Sequence, residues 1–260
     1  MRLTFIVIFL TFGKLFNVFG QSNLDYYKDI LEKFEFETKI TSNFSDIIKS
    51  DLSILWETQN QNSILGFIGD NYSRMNIRFI SVIKNKENQK EYFVYGKSKV
   101  GNNICDFQGI LRLKNSFLVS VDSLKNSTGI LVGEYELNED MKNIHSGIFS
   151  GRFVTYWETD SKNNILKPDL PCVSEEYQIN KFAGIWKEYK KGKLKNANWG
   201  EKRIPICGDL DVGTSEFCPN KKYEKNGWEN YIKAYSGGNS KEEREKAQSV
   251  ENTKWWIEND

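Results

Sequence analysis

Histidine is scarce in this chain of 260 residues, since His145 is its single copy. A lone imidazole weakens every mechanism that relies on a histidine base, and the sequence holds no Gly-x-Ser-x-Gly motif that would present a serine nucleophile. A Ser-His-Asp hydrolase is therefore not expected. His145 lies in a polar turn before an apolar segment, and we interpret it as a surface residue.

Long apolar runs are also missing, apart from ten residues near the start, Leu3 to Phe12. A run of this length is too short to span a bilayer as a helix. It follows a positively charged start and precedes the small residues Val18 and Gly20, an arrangement that predicts a signal peptide over residues 1–20. We expect export to a secreted or periplasmic location, and no integral membrane segment after cleavage.

An excess of either charge is absent, because the chain has 36 basic and 35 acidic residues. Cleavage after residue 20 would remove Arg2 and Lys14 and leave 34 basic residues against 35 acidic ones. Nucleic-acid binders and polybasic membrane-surface proteins carry a strong basic excess, so neither class is expected.

Cysteine is limited to four residues, Cys105, Cys172, Cys207 and Cys218. In an oxidising compartment they predict up to two disulfide bridges. We favour Cys207 with Cys218, which are close in sequence, and this leaves Cys105 with Cys172. The alternative is that some of them are free buried thiols. A zinc site is not favoured, because no cysteine pair has ligand spacing and only one histidine is present.

Short apolar and aromatic runs separated by Gly, Asn and Lys dominate residues 63–189 and indicate an antiparallel β domain. Strands are predicted near Ile64 to Ile68, Tyr72 to Ile83, Tyr92 to Val100, Asn103 to Leu113, Phe117 to Val121, Ile130 to Leu137, Ile148 to Thr159 and Asn180 to Tyr189. With no long helical pattern between them, they predict a mainly β fold, an antiparallel β-sandwich or barrel-like meander with short N-terminal helices and a C-terminal helix.

The flanking regions have a different character. Residues 21–62 form a predicted N-terminal helical segment, with one amphipathic helix at Leu24 to Phe36 and a second beginning at Ser45. Residues 190–260 are interpreted as a loop-rich C-terminal extension, because they are rich in Gly, Asn, Lys and Pro. A charged terminal helix is predicted from Lys241 to Ile257.

The segment between Cys207 and Cys218 has the highest density of chemically functional side chains. Asp209, Asp211 and Glu216 supply hard oxygen atoms that suit Ca²⁺, although the spacing does not match an EF-hand loop. The same carboxylates are candidates for a hydrolase, and turn-forming Asp and Gly in a disulfide-closed loop explain the same residues. These three interpretations stay open at this point.

Aromatic residues surround that segment, and four of them are candidates for ligand binding: Trp186, Trp199, Trp228 and Tyr231. They are interleaved with lysines, among which are Lys191, Lys193 and Lys195. Clustered Trp and Tyr form platforms for sugar rings or for the surface of another protein. They equally form a satellite core under a long loop.

Three segments carry a resemblance. Residues 95–100 read YGKSKV, residues 103–107 read NICDF, and residues 198–213 read NWGEKRIPICGDLDVG. These are similar to parts of uncharacterised exported proteins of Bacteroidota. The resemblance implies export and brings no activity or site with it.

The leading hypothesis is an exported, non-catalytic binding or cell-envelope protein whose ligand is an unknown protein or a carbohydrate. One alternative is a secreted hydrolase that uses the loop carboxylates, with or without assistance from Ca²⁺. The other is an inhibitor or immunity-type protein, which predicts a large exposed aromatic patch.

Overall fold

The computed structural model describes residues 41–57, 64–121, 126–168 and 179–257. The predicted signal peptide, the predicted helix at Leu24 to Phe36 and Cys172 lie outside the described residues. None of the helices in the described part combines the length and apolar character that a membrane span requires.

Antiparallel strands are the main regular structure of the described chain, which confirms the predicted mainly β fold class. The strands are β1 (Thr41–Ser42), β2 (Ile64–Ile68), β3 (Ser73–Lys84), β4 (Glu91–Val100), β5 (Asn103–Val121), β6 (Ser127–Glu139), β7 (Gly147–Thr159), β8 (Ile165–Leu166), β9 (Lys181–Glu188) and β10 (Leu194–Glu201). The two strands predicted between Asn103 and Val121 are a single strand, because the polar residues Lys114 and Asn115 continue β5 through a register shift against β6.

The sheet closes on itself, because β5 pairs with β4 on one side and with β6 on the other. The ring contains eight strands in the order β2, β3, β4, β5, β6, β7, β9 and β10, and β10 returns to β2. Closure satisfies the edges that an open sheet leaves exposed. An eight-stranded barrel has an interior just wide enough for packed side chains or for one small ligand.

Aromatic side chains fill most of the interior, and glycines on the neighbouring strand make room for them. In the register of β6 and β7, Gly129 lies opposite Trp157 and Gly133 lies opposite Phe153. A Cβ atom on Gly129 would come within 2.1 Å of the Trp157 ring, and one on Gly133 within 2.4 Å of the Phe153 ring. Pairs of the smallest and the largest residues therefore pack this part of the barrel.

A short N-terminal segment seals one end of the ring. It contains helix α1 (Phe44–Ile47) and a 3₁₀ turn (Ser53–Leu55), where the sequence predicts one helix beginning at Ser45. The Leu52 N–H donates to the Tyr92 hydroxyl at 2.9 Å, and the Asn180 side chain donates to the Leu55 carbonyl at 2.9 Å. This sealed end is therefore joined to the ring by both polar and apolar contacts.

The C-terminal extension packs on the outside of the ring. It contains helices α2 (Glu229–Tyr235) and α3 (Lys241–Glu251), and Ser240 and Glu243 form a capping box at the start of α3. A separate apolar cluster joins it to the outer face of β2, with these buried members: Leu65, Phe67, Ile204, Leu210, Phe217, Trp228 and Ile232.

The prediction of loops from residue 190 onward is wrong for Leu194–Glu201, which form β10 and complete the ring between β2 and β9. This strand is rich in Lys, Asn and Gly, which are poor strand formers. Its buried positions include Ala197 and Trp199, and pairing on both sides stabilises it against that composition.

Candidate functional site

Four hairpin turns meet at the end of the ring opposite the N-terminal segment, at residues 69–72, 101–102, 140–146 and 189–193. Between them lies a cavity of about 380 Å³, which we call the mouth cavity. It is lined by Ile68, Ser98, Val100, Asn103, Glu139, His145, Phe149, Trp186, Glu188, Lys191, Lys193 and Lys195. Seven of the eight ring strands or their turns contribute to it, so the cavity is a property of the closed ring.

A buried carboxylate lies in the wall of this cavity. Glu139, at the end of β6, is 5% exposed. It accepts hydrogen bonds from Ser98 Oγ, from the Gly147 N–H at 2.8 Å and from Trp186 Nε1 at 2.9 Å. Burial raises the pKa of Glu139, while these three hydrogen bonds lower it. Because the donors belong to β4, β7 and β9, the carboxylate holds three strands together at the mouth.

Basic side chains surround the opening. Lys191 and Lys193 lie in the exposed turn between β9 and β10, and neither forms an ion pair with a described residue. The rim carboxylate of Glu188 is buried and lies 3.6 Å from Nδ1 of His145. His145 is exposed, as its turn position predicts, and it has a left-handed backbone conformation with φ of 56°. The rim therefore presents lysine ammonium groups that no acidic side chain in the described part of the chain neutralises.

The bridge predicted between Cys207 and Cys218 is not formed in this structure, where Cys105, Cys207 and Cys218 are free thiols. Asp211 shapes the loop instead, since its carboxylate accepts from the Gly213 N–H at 2.9 Å and from the Cys218 N–H at 3.0 Å. These two hydrogen bonds perform the loop closure that the sequence attributes to a disulfide.

The three loop carboxylates do not converge. Asp209 accepts hydrogen bonds from Lys222 Nζ and from the Tyr223 hydroxyl, the latter at 2.6 Å. Asp211 lies 3.4 Å from Arg203 Nη1, and Glu216 is exposed. Among the described residues, no group of three or more His, Cys, Asp or Glu side chains is arranged to hold a metal ion. The predicted Ca²⁺ and hydrolase sites therefore have no assembled ligand set in this loop.

The four candidate aromatics do not form one exposed platform. Trp186 and Trp199 point into the ring, where they are 5% and 2% exposed. Trp228 and Tyr231 belong to the cluster outside β2, and Trp228 Nε1 donates to the Tyr72 carbonyl at 2.8 Å. They are core residues, and of the four only Trp186 lines the mouth cavity.

The outer face of β3 and β4 exposes apolar residues. Ile83 lies opposite Phe93 in the strand register, and these side chains are 60% and 48% exposed. Tyr95 and Ile80 are exposed nearby, at 38% and 44%. This exposed apolar face is the surface on which the hypothesis of an inhibitor or immunity-type protein can be tested.

Sequence reasoning identified Trp186 and the rim lysines but missed Glu139. In the sequence Glu139 is followed by Asp140 at the start of a polar turn, a context that is typical of a solvent-exposed acid. Its burial depends on Ser98 and Trp186, which come from strands distant in the chain. No local pattern could have revealed it.

No protein-family model, curated protein or solved structure gives a significant match to this chain.

Proposed function

We propose that this chain is an exported, non-catalytic binding protein that holds a small anion with an apolar body in the mouth cavity. The observation that carries the proposal is the cavity itself, about 380 Å³ in volume and enclosed by strands of the closed ring. This volume falls in the range of small-molecule sites, and the mouths of barrels are among the places where such sites occur.

The apolar wall of the cavity is the evidence that the ligand has an apolar body. Phe149 and Trp186 are almost fully buried and form its aromatic side, and Ile68 and Val100 add aliphatic surface. Contact with these groups would remove apolar area from water, which stabilises a complex by roughly 25 cal/mol for each Å² buried. The ring of Trp186 is held in place by its hydrogen bond to Glu139, so this wall is preorganised.

The lysines at the rim are the evidence that the ligand carries a negative charge. Lys191, Lys193 and Lys195 all line the opening, and Lys195 Nζ lies 5.3 Å from the centre of the Trp186 ring. The carboxyl group of Glu139 already accepts hydrogen bonds from three donors, and Glu188 faces His145. A ligand whose apolar body contacts Trp186 would therefore place its anionic group beside ammonium groups.

The export part of the proposal rests on the apolar segment within residues 1–20, and the non-catalytic part on the absence of a catalytic motif in the sequence. N-terminal sequencing of protein recovered from the exterior or the periplasm tests export. We expect a mature N-terminus near Gln21, and soluble exported material that retains Met1 would contradict it.

Calorimetric titration tests the ligand class, with octanoate as the anionic probe and octanol as its neutral counterpart. We expect octanoate to bind more tightly. The triple variant K191Q/K193Q/K195Q should weaken octanoate binding about tenfold, because each exposed charge contact contributes roughly 0.5 kcal/mol and 1.4 kcal/mol corresponds to a factor of ten. The variant should leave octanol binding unchanged.

A matched control removes three lysines away from the mouth, as K86Q/K90Q/K114Q. It should bind both probes like the parent protein. Equal binding of octanoate and octanol, equal losses in the two triple variants, or no binding of octanoate at all would overturn the proposed ligand class.

A further inference from the structure

A second cavity lies outside the ring, between the outer face of β3 and β4 and the C-terminal helices. It has a volume of about 300 Å³, and we call it the outer groove. The residues that line it and matter here are Arg74, Asn76, Lys99, Asn102, Asn230, Glu251, Trp255 and Trp256. It shares no lining residue with the mouth cavity.

Among the described residues of this lining, the only acid is already neutralised. Glu251 forms two hydrogen bonds with the guanidinium group of Arg74, at 2.7 and 2.5 Å, and both side chains are largely buried. This bidentate pair fixes the end of α3 against β3. A ligand in the groove therefore contacts an ion pair whose two charges already neutralise each other, and it does not contact an unpaired carboxylate.

Two further cations in this region have no acidic partner among the described residues. Lys99 lines the groove and lies opposite Asn76 in the register of β3 and β4. Arg78 is two residues further along the same face of β3, and its Nη1 atom is buried without a hydrogen-bond partner in the described part of the chain. The described residues that line the groove thus carry a net positive charge.

Side-chain amides supply the remaining polar surface. Asn76, Asn102 and Asn230 come from β3, from the turn between β4 and β5, and from α2. Each amide can donate two hydrogen bonds and accept two. Three amides from separate elements around one opening match a ligand with several hydroxyl groups, because a hydroxyl group also donates and accepts.

Two indole rings complete the groove. Trp255 and Trp256 are half-buried, with ring centres 5.8 Å apart at an angle of 85°. The guanidinium carbon of Arg78 lies 4.6 Å from the centre of the Trp256 ring, which anchors that ring through a cation–π contact. An anchored aromatic ring beside amides offers a flat apolar surface together with hydrogen-bonding groups.

We infer that the outer groove is a binding site for a carboxylated sugar. The sugar ring would lie against the indole rings, its hydroxyl groups would contact the asparagine amides, and its carboxylate would contact Lys99. This inference is independent of the ligand proposed for the mouth cavity, because the two sites have no residue in common.

Titration calorimetry with full-length mature protein tests the inference. The probes are four uronates, glucuronate, galacturonate, mannuronate and iduronate, with glucose, galactose, mannose and idose as their neutral counterparts and inorganic phosphate as a simple anion. We expect at least one uronate to bind with a Kd of about 1 mM or tighter, and its neutral counterpart and phosphate to bind at least tenfold more weakly.

Two substitutions locate the bound sugar. Lys99→Gln should weaken uronate binding about tenfold, as expected for loss of a charge-assisted contact. Trp255→Ala should weaken it by a similar factor, whereas Trp255→Phe should retain most of the affinity because a ring remains. Circular dichroism and the melting temperature should confirm that each variant is folded.

The control is Lys193→Gln at the mouth cavity, which should leave uronate binding unchanged. Failure of all four uronates to bind, phosphate binding as tight as uronate binding, or equal losses in the Lys99 and Lys193 variants would overturn the inference. None of these outcomes alters the octanoate titration, so the two proposals fail separately.

Discussion

The two ends of the strand ring differ in how their interiors are closed. At the sealed end Leu52 and Leu55 are fully buried, and Trp56 packs on Tyr92 with ring centres 5.2 Å apart. At the mouth the buried groups include Ser98 and Glu139, and a cavity remains. One end thus excludes water by apolar packing, whereas the other keeps polar groups in place by hydrogen bonds.

The difference comes from the connections. At the mouth the turns are short and polar, and two of them, residues 69–72 and 101–102, are too short to fold over the opening. At the sealed end the chain supplies a separate segment, residues 44–56, which covers the opening and packs its apolar side chains against the core. Lys84 Nζ holds this segment by donating to the carbonyls of Ile48 and Ser50, at 2.6 and 2.7 Å. The apolar packing of the sealed end and the mouth cavity therefore lie at opposite ends of the ring.

The largest effect is expected from a substitution that removes packing at the sealed end. Trp56→Ala should lower the free energy of unfolding by about 3 to 5 kcal/mol, because it removes a large buried ring and leaves a cavity. Urea denaturation measures this change. Ile54→Ala, at a side chain 36% exposed, is the control and should change stability by about 0.5 kcal/mol or less. Equal losses in the two variants would show that residues 44–56 do not seal the ring.

A smaller effect is expected at the mouth. Glu139→Ala should lower the free energy of unfolding by about 2 to 3 kcal/mol, because it leaves the buried donors of Gly147 and Trp186 without an acceptor. Glu139→Gln should lose less, since its amide oxygen still accepts from these donors and its amide nitrogen can donate to Ser98. Urea denaturation again gives the values. A larger loss for the glutamine variant would contradict this role for the carboxylate.

The pH dependence sharpens the contrast between the two ends. Burial raises the folded-state pKa of Glu139 above 4.5, so its charged form is disfavoured in the folded protein. The stability of the parent relative to Glu139→Gln should therefore fall as pH rises from 4.5 through the raised pKa, by about 1.4 kcal/mol for each unit of the pKa difference. Urea curves across this interval measure the slope, and a rising difference would contradict it. Trp56→Ala should show no such dependence.

The smallest effect is expected for disulfide reduction, because no disulfide bridge among the described residues closes either end of the ring. Cys105, Cys207 and Cys218 are free thiols, so reductant should leave the melting temperature unchanged, whereas loss of a loop-closing bridge would cost about 3 kcal/mol. Thiol titration of the unfolded protein under non-reducing conditions should find at least three reactive groups. Burial raises the pKa of the Cys105 thiol to about 11, which protects it from oxidation. A bridge between Cys207 and Cys218 in peptide maps would contradict the structure.

The strands of the ring were largely predictable, because their apolar residues alternate locally. Ile64–Ile68 was predicted with the observed bounds, and the other ring strands before residue 190 were placed within a few residues, with β5 divided in two. The exception is Leu194–Glu201, whose polar composition hides its inward alternation. Pairing with β2 and β9 decides its structure, and that information lies outside the segment itself.

The candidate site was much less predictable. Aromatic residues that share a stretch of sequence are separated in space, with Trp186 inside the ring and Trp228 outside it. The carboxylates at Asp209 and Asp211 interact with different cations, although they are two residues apart. The mouth cavity joins residues from Ile68 to Lys195, and such long-range proximity depends on closure of the sheet.

The most direct test of the separation between the two ends is to fill the mouth cavity. Val100 lines it, so Val100→Trp should occupy its volume, while Leu52→Ala at the sealed end leaves it open. Calorimetric titration with octanoate should show that binding is lost in the Val100 variant and retained in the folded fraction of the Leu52 variant. Octanoate binding of parental affinity in folded Val100→Trp protein would contradict the account.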